Sequence, residues 1–237
     1  MCVKIRTCIS ITNLHCPKQL SFLTNRIVLN DNEQLHNLTR RILGREIWKR
    51  LYQPQQQQRN YKIERCFFSN ILTSLNKIDS VLELGCNVGL NLDTINLIDS
   101  SISLSGVELN QEAANIAVKK KVATIYQQTI VEPFDLEATY DLSFTKTVLI
   151  HINPDKLPVV YENLVKHSKR YILICEYYNP TPVVINYRGH SDKLFKRDFA
   201  GELISQHGLK LVKYGFCYHR DKYLYHQDDA TWFLLEK

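Results

Sequence analysis

Ser80-Val81-Leu82-Glu83-Leu84-Gly85-Cys86-Asn87-Val88-Gly89-Leu90-Asn91 is the stretch that decides the fold. Its first five residues are a short β-rich run, and Gly85 and Gly89 bracket a tight turn into a helical segment. The turn has neither Gly-x-Gly-x-x-Gly nor Gly-Lys-Ser/Thr, so dinucleotide and triphosphate loops both fit poorly. Asn87 stands where a middle glycine is often found, and Asn is the residue that best tolerates left-handed backbone without being Gly. Free N–H groups at the start of the following helix aim into such a loop and favour a carboxylate.

Outward from this loop the pattern alternates. Further β-rich runs lie at 102–108, 123–127, 140–145, 170–176, 209–218 and 230–236, with helical stretches at 90–98, 110–120 and 155–168. Strands alternating with helices predict an α/β fold, a mostly parallel sheet with helices on both faces. Ligands of such sheets bind beyond the carboxyl ends of the strands, where strand order reverses. Upstream, Leu35, Leu38, Ile42, Leu43, Ile47 and Leu51 predict a helix over 33–51. Pro54 and the run Gln55 to Gln58 mark 53–60 as a linker, and a second helix is expected over 62–75.

The chain has 237 residues, 44% hydrophobic and 23% charged, and a formal net charge of +6. That composition excludes a collagen, a disordered chain and a stapled mini-protein. No apolar run approaches the roughly 18 residues of a membrane span. The charge is uneven: residues 1–60 carry ten Lys/Arg against three Asp/Glu, and 61–237 carry twenty against twenty-one. The expected organisation is therefore a basic, partly helical or disordered extension over 1–60 and one domain over 61–237. The near-neutral domain weighs against a nucleic-acid partner. The seven cysteines form no Cys-x-x-Cys pair and match no zinc spacing, so no metal is expected and a reducing, cytoplasmic setting is the simple reading. The basic, acid-poor start leaves organelle targeting as a weaker alternative.

Glu108 ends the second β-rich run, nineteen residues past Gly89. Strand, glycine loop, helix and distal acid together resemble the class I S-adenosylmethionine-dependent methyltransferases, whose sheet is Rossmann-like and seven-stranded. That resemblance implies S-adenosyl-L-methionine as cofactor. Gly85, Asn87 and Gly89 would approach its methionine part and Glu108 its ribose. Thr129 and Ile130 would flank adenine, and Glu83 would organise the loop or meet the amino group. Lys146, directly after the fourth run, joins this set. The segments GCNVGLN (85–91), TKTVLIHINPD (145–155), EYYNPTPV (176–183), YRGHSDKLFKRDFAGEL (187–203) and QDDATWFLLEK (227–237) resemble the pseudaminic-acid-biosynthesis-associated methyltransferases. The likeness covers about 78–237 and implies a small acceptor, acidic or sugar-like, methylated on a hydroxyl or amine.

Methyl transfer to an alcohol needs a general base. His151 and His190 are candidates because imidazole titrates nearest neutral pH. His151 is also readable as a histidine hydrogen-bonded at a helix start, and His190 as a loop histidine paired with Asp192. Glu176, ending the fifth run, is readable as a base or as a buried partner of Lys146. Tyr178, Arg188, Arg197 and Arg220 are candidate acceptor contacts, since a guanidinium forks onto carboxylates and aromatic faces cover ring carbons. Asp192, Asp198 and Asp221 could equally pair with those arginines. A cofactor-binding regulator or partner subunit without catalysis is the alternative reading, and a nucleic-acid methyltransferase is the weakest. The oligomeric state is left open.

Overall fold

A computed structural model of the chain describes residues 64–187, 193–221 and 229–237. The expected extension, its helix over 33–51 and the linker over 53–60 lie outside the described residues, as do Arg188 and His190.

Helix α1 covers 64–72. It ends where the Thr73 and Ser74 hydroxyls donate back to the carbonyls of Ser69 and Asn70, both at 2.8 Å, offering the backbone an alternative to another turn. Strands β1 (Ser80–Leu84), β2 (Ser103–Val107), β3 (Thr124–Tyr126), β4 (Tyr140–Lys146) and β5 (Ser168–Glu176) alternate with α2 (Leu90–Ile98), α3 (Gln111–Lys120) and α4 (Leu157–His167). A short antiparallel pair of two-residue strands, β6 (Val183–Val184) and β7 (Phe195–Lys196), precedes α5 (Phe199–His207), β8 (Lys210–Cys217) and β9 (Ala230–Glu236).

The main sheet runs β3-β2-β1-β4-β5-β9-β8. Its first five strands are parallel, and β9 lies antiparallel between β5 and β8. All seven expected strands are present with ends moved by a residue or two. Helix α5 falls where the sequence pattern predicts no helix. Asp198 caps it, its carboxylate accepting from the Gly201 N–H at 2.8 Å, and Phe199, Ala200 and Leu203 bury its inner face.

Each face of the sheet carries a core. On one face Phe67, Phe68 and Ile71 of α1 and Leu92 and Ile95 of α2 pack on Val81, Leu142, Phe144, Leu173 and Trp232. Edge-to-face rings bind α1 to the sheet, with Phe68 5.5 Å from Phe144 and Phe67 6.4 Å from Trp232. On the other face α4 and α5 bury Val160, Tyr161, Leu164, Phe199 and Leu203 against Leu82, Leu84, Ile172 and Ile174. Alternation along each strand therefore sends Glu83 and Lys146 to the α1–α2 face and Glu176 to the α4–α5 face. Strand order reverses between β1 and β4, so the ends of these strands open the crevice where such sheets bind ligands.

Candidate functional site

The loop after β1 is built from left-handed backbone: φ is 80° at Gly85, 52° at Asn87 and 70° at Gly89. Gly85 is required for a second reason. A Cβ there would lie 2.7 Å from Val148, so the absent side chain is what lets the end of β4 close on the loop. Gly85 and Cys86 donate to the Val107 carbonyl at 2.8 and 3.0 Å, which ties the loop to β2. Cys86 is buried against Gly106, where a Cβ would meet its sulfur at 2.6 Å. Burial pushes its thiol pKa up, so it fills space and does not act as a nucleophile.

Glu83 is 1% exposed and lies beneath this loop. Its Oε1 accepts from the Asn91 side-chain amide at 2.6 Å, while its buried Oε2 has no partner. Burial raises the carboxyl to about 8, against the lowering effects of Asn91 and Lys146. Lys146 does not pair with Glu176, because alternation sends the two to opposite faces. Its partner is Glu64 of α1, with Nζ 3.0 Å from Oε1 and both side chains 9% exposed. Burial alone would lower the Lys146 pKa, but Glu64, with the neighbouring Cys175 and Cys217 thiols, outweighs it and the ammonium titrates above the ordinary lysine range.

Glu108 has both carboxylate oxygens engaged. Oε2 accepts from the Asn87 N–H at 2.8 Å and Oε1 from the Asn110 N–H at 2.7 Å. It holds the loop after β1, and each oxygen keeps a second lone pair for a hydroxyl. Leu109 beside it is 66% exposed, an apolar surface at a strand end that sequence reasoning passed over. After β3, Thr129 accepts from the Val131 N–H at 3.3 Å, and buried Ile130 is held through its carbonyl by Asn163 at 3.0 Å. The neighbouring Gln128 has a buried side-chain nitrogen without a partner, another feature only the packing reveals.

The ends of β4 and β5 are finished differently. Thr147 has φ 56°, rare for a β-branched residue, and stands exposed at the mouth of the crevice. Nothing in its residue type announces that strain. Glu176 is 2% exposed and accepts from the N–H groups of Val148, Leu149 and Ile150 at 3.0, 3.1 and 3.4 Å. Burial raises its pKa to about 7, against the lowering effect of those three bonds. It thereby positions the single turn Leu149–His151. His151 stands exposed at the end of that turn, its Nδ1 2.9 Å from the Lys193 carbonyl. A carbonyl only accepts, so in the neutral ring Nδ1 carries the hydrogen and Nε2 the lone pair.

Arg197 pairs with Glu202 at 2.6 Å rather than with Asp198, which is the cap of α5. Glu202 also accepts from the Tyr161 hydroxyl at 2.7 Å. Tyr178 leans on Phe233 with ring centroids 5.8 Å apart. Glu176, Tyr178, Arg197 and Phe233 line one shallow depression. Arg220 lies apart from these residues in sequence, exposed in the turn after β8. There His219 bonds to Asp229 at 2.9 Å.

No protein-family model and no curated protein matches the sequence. Solved structures do resemble the chain. A S-adenosylmethionine-dependent methyltransferase from Clostridium acetobutylicum ATCC 824 aligns with TM-score 0.56 at 12% identity, over 74% of this chain and 90% of its own. Magnesium protoporphyrin IX methyltransferase from Synechocystis PCC 6803 with bound S-adenosylhomocysteine aligns with TM-score 0.56 at 14% identity, over 87% and 100%. The O-methyltransferase of a trans-AT polyketide synthase from Brevibacillus brevis, in complex with S-adenosylhomocysteine, aligns with TM-score 0.58 at 17% identity, over 84% and 79%. At these identities the likeness establishes the fold: a seven-stranded, mostly parallel Rossmann-like sheet of the methyltransferase type. No helix among the described residues is long and apolar enough to cross a membrane.

Proposed function

We propose that this protein is an S-adenosylmethionine-dependent methyltransferase acting on a small acceptor. The observation that carries the reading is Glu83: a buried carboxyl oxygen without a partner, beneath a loop of left-handed backbone at the point where strand order reverses. A buried polar atom left unsatisfied costs about 1–3 kcal/mol, which a donor from a ligand would recover. S-adenosylmethionine fits the residues present. Its amino group supplies such a donor, its ribose hydroxyls suit the remaining lone pairs of Glu108, and Gln128, Thr129 and Ile130, after β3, are the residues proposed to flank the adenine.

S-adenosylmethionine, when bound, supplies a methyl group on a sulfonium open to in-line displacement. The chain's own task is to hold the acceptor in line with it and remove a proton. His151 is the base this geometry favours, because the Lys193 carbonyl leaves Nε2 free to accept. Glu176 is a positioning residue that fixes the turn bearing His151. Tyr178 and Arg197 line the acceptor side. His190 and Arg188, outside the described residues, and the exposed Arg220 complete the proposed set. The acceptor is a sugar acid or polysaccharide-related hydroxyl or amine, on the resemblance of the five segments to the pseudaminic-acid-associated methyltransferases. The deciding experiment is calorimetric titration of S-adenosylmethionine and S-adenosylhomocysteine into wild type and Glu108→Ala. Micromolar binding to wild type, lost in the variant, is expected; folded wild type that binds neither overturns the reading.

A further inference from the structure

Glu64 opens the described part of α1, outside every motif that the sequence offers. It is 7% exposed, with Oε1 on Lys146 at 3.0 Å and Oε2 buried without a partner. Desolvating both partners of an ion pair is expensive, so a buried pair is weak support for a purely stabilising role. Glu83 lies on the same face, on the strand adjacent to that of Lys146, and its carboxyl is influenced by the charges of both Lys146 and Glu64. It too is missing one donor. Two nearly buried carboxyl groups thus lie within electrostatic reach of one lysine, and each keeps an oxygen without a hydrogen-bond partner.

We propose that Glu64 is a ligand-binding residue, which with Glu83 and Lys146 forms a buried pocket for the zwitterionic amino-acid head of a nucleoside ligand. The inference rests on the function proposed above and extends it to a residue from the helix that precedes the sheet. An ammonium has three N–H donors for the unpartnered oxygens and brings the positive charge that lets Glu83 ionise beside Glu64. The ligand's carboxylate in turn finds Lys146, whose ammonium has donors beyond the one given to Glu64. A neutral hydroxyl would satisfy one oxygen and leave Glu83 protonated.

The same geometry makes binding proton-linked. Facing Glu83 are Asn91 from α2, Lys146 from β4, Glu64 from α1 and Glu108 beyond β2. Without a ligand, burial holds the Glu83 proton to about pH 8. An arriving ammonium favours the carboxylate, so at pH 7 the head group enters as a proton leaves.

The test is calorimetry on the full chain at pH 7, in two buffers of different ionisation enthalpy. The probes are S-adenosylhomocysteine and 5′-methylthioadenosine, a nucleoside thioether without the amino-acid head. In wild type, S-adenosylhomocysteine binds with proton release and methylthioadenosine without it. Glu64→Gln weakens the first by about tenfold or more, the loss expected for a charge-assisted bond, and the second by less than about twofold. Equal weakening of both, or of neither, overturns the assignment of Glu64. Should Glu64→Gln not fold, wild type alone decides, since equal proton release with both probes removes the head-group pocket. Wild type that binds neither nucleoside refutes the methyltransferase reading itself, an outcome distinct from the others.

Discussion

Glu83 and Glu176 are the same residue type in nearly the same burial, at the carboxyl ends of two parallel strands, yet the protein finishes them in opposite ways. Glu176, on the α4–α5 face, accepts from three backbone N–H groups. Glu83, on the α1–α2 face, has one side-chain donor and one empty oxygen. Desolvation raises both carboxyls, to about 7 and about 8. A filled carboxyl works for the fold, here by shaping the turn that bears His151. A half-filled one keeps an oxygen for a donor that the fold itself does not supply. The contrast extends outward: Arg197, Glu202 and Tyr161 bond among themselves, whereas Glu64 beside Lys146 keeps a free oxygen.

The largest effect should come from the half-filled face. Lys146→Met leaves Glu64 buried without its counter-charge and should cost about 4 kcal/mol in urea unfolding. Adding Glu64→Gln should restore most of that loss; a double variant as unstable as the single would mean that packing, not charge, sets the cost.

On the filled face, Glu176→Ala strands three buried N–H groups and should cost about 3 kcal/mol. Because its partners are internal, S-adenosylhomocysteine should not selectively rescue this variant. A ligand-dependent recovery would erase the distinction between the two carboxyls.

The two also differ in how pH should act on them. A carboxyl raised by folding binds more protons in the native state than in the unfolded one. Its stabilising contribution is full below about pH 4.5 and is lost as pH rises through the folded value, about 8 for Glu83. Relative to Glu83→Gln, ligand-free wild type should lose up to about 1.4 kcal/mol per pH unit across that window. Thermal melts from pH 5 to 9 would show it, and parallel curves would mean that Glu83 is already ionised.

The smallest effect concerns the mouth between the faces. Thr147→Gly relieves a left-handed φ on a β-branched residue and should stabilise the protein by about 1 kcal/mol. If Thr147 is held there for the acceptor, methyl transfer should fall although stability rises; unchanged turnover would make the strain incidental.

The strand–helix alternation was legible because period and residue preference are carried by neighbours in the chain. The loop at 85–89 was legible for a similar reason, since Gly and Asn tolerate positive φ wherever they stand. Glu108 could be found by distance along the chain, although its bonds to Asn87 and Asn110 could not. Helix α5 was missed because its apolar face is short and sits among aromatic and charged residues that read as a binding segment. Arg197 was matched to nearby aspartates, yet the fold of α5 delivers Glu202 instead.

By itself, then, the sequence determined the order of elements, the left-handed loop and the acid that answers it, all set by local backbone preference and spacing. Only the tertiary structure decided that Glu64 and Lys146, 82 residues apart, would meet out of water, that Glu176 would be filled by a neighbouring turn and that Glu83 would not. Desolvation and hydrogen-bond satisfaction depend on which distant segments the fold packs together, and no local pattern records that.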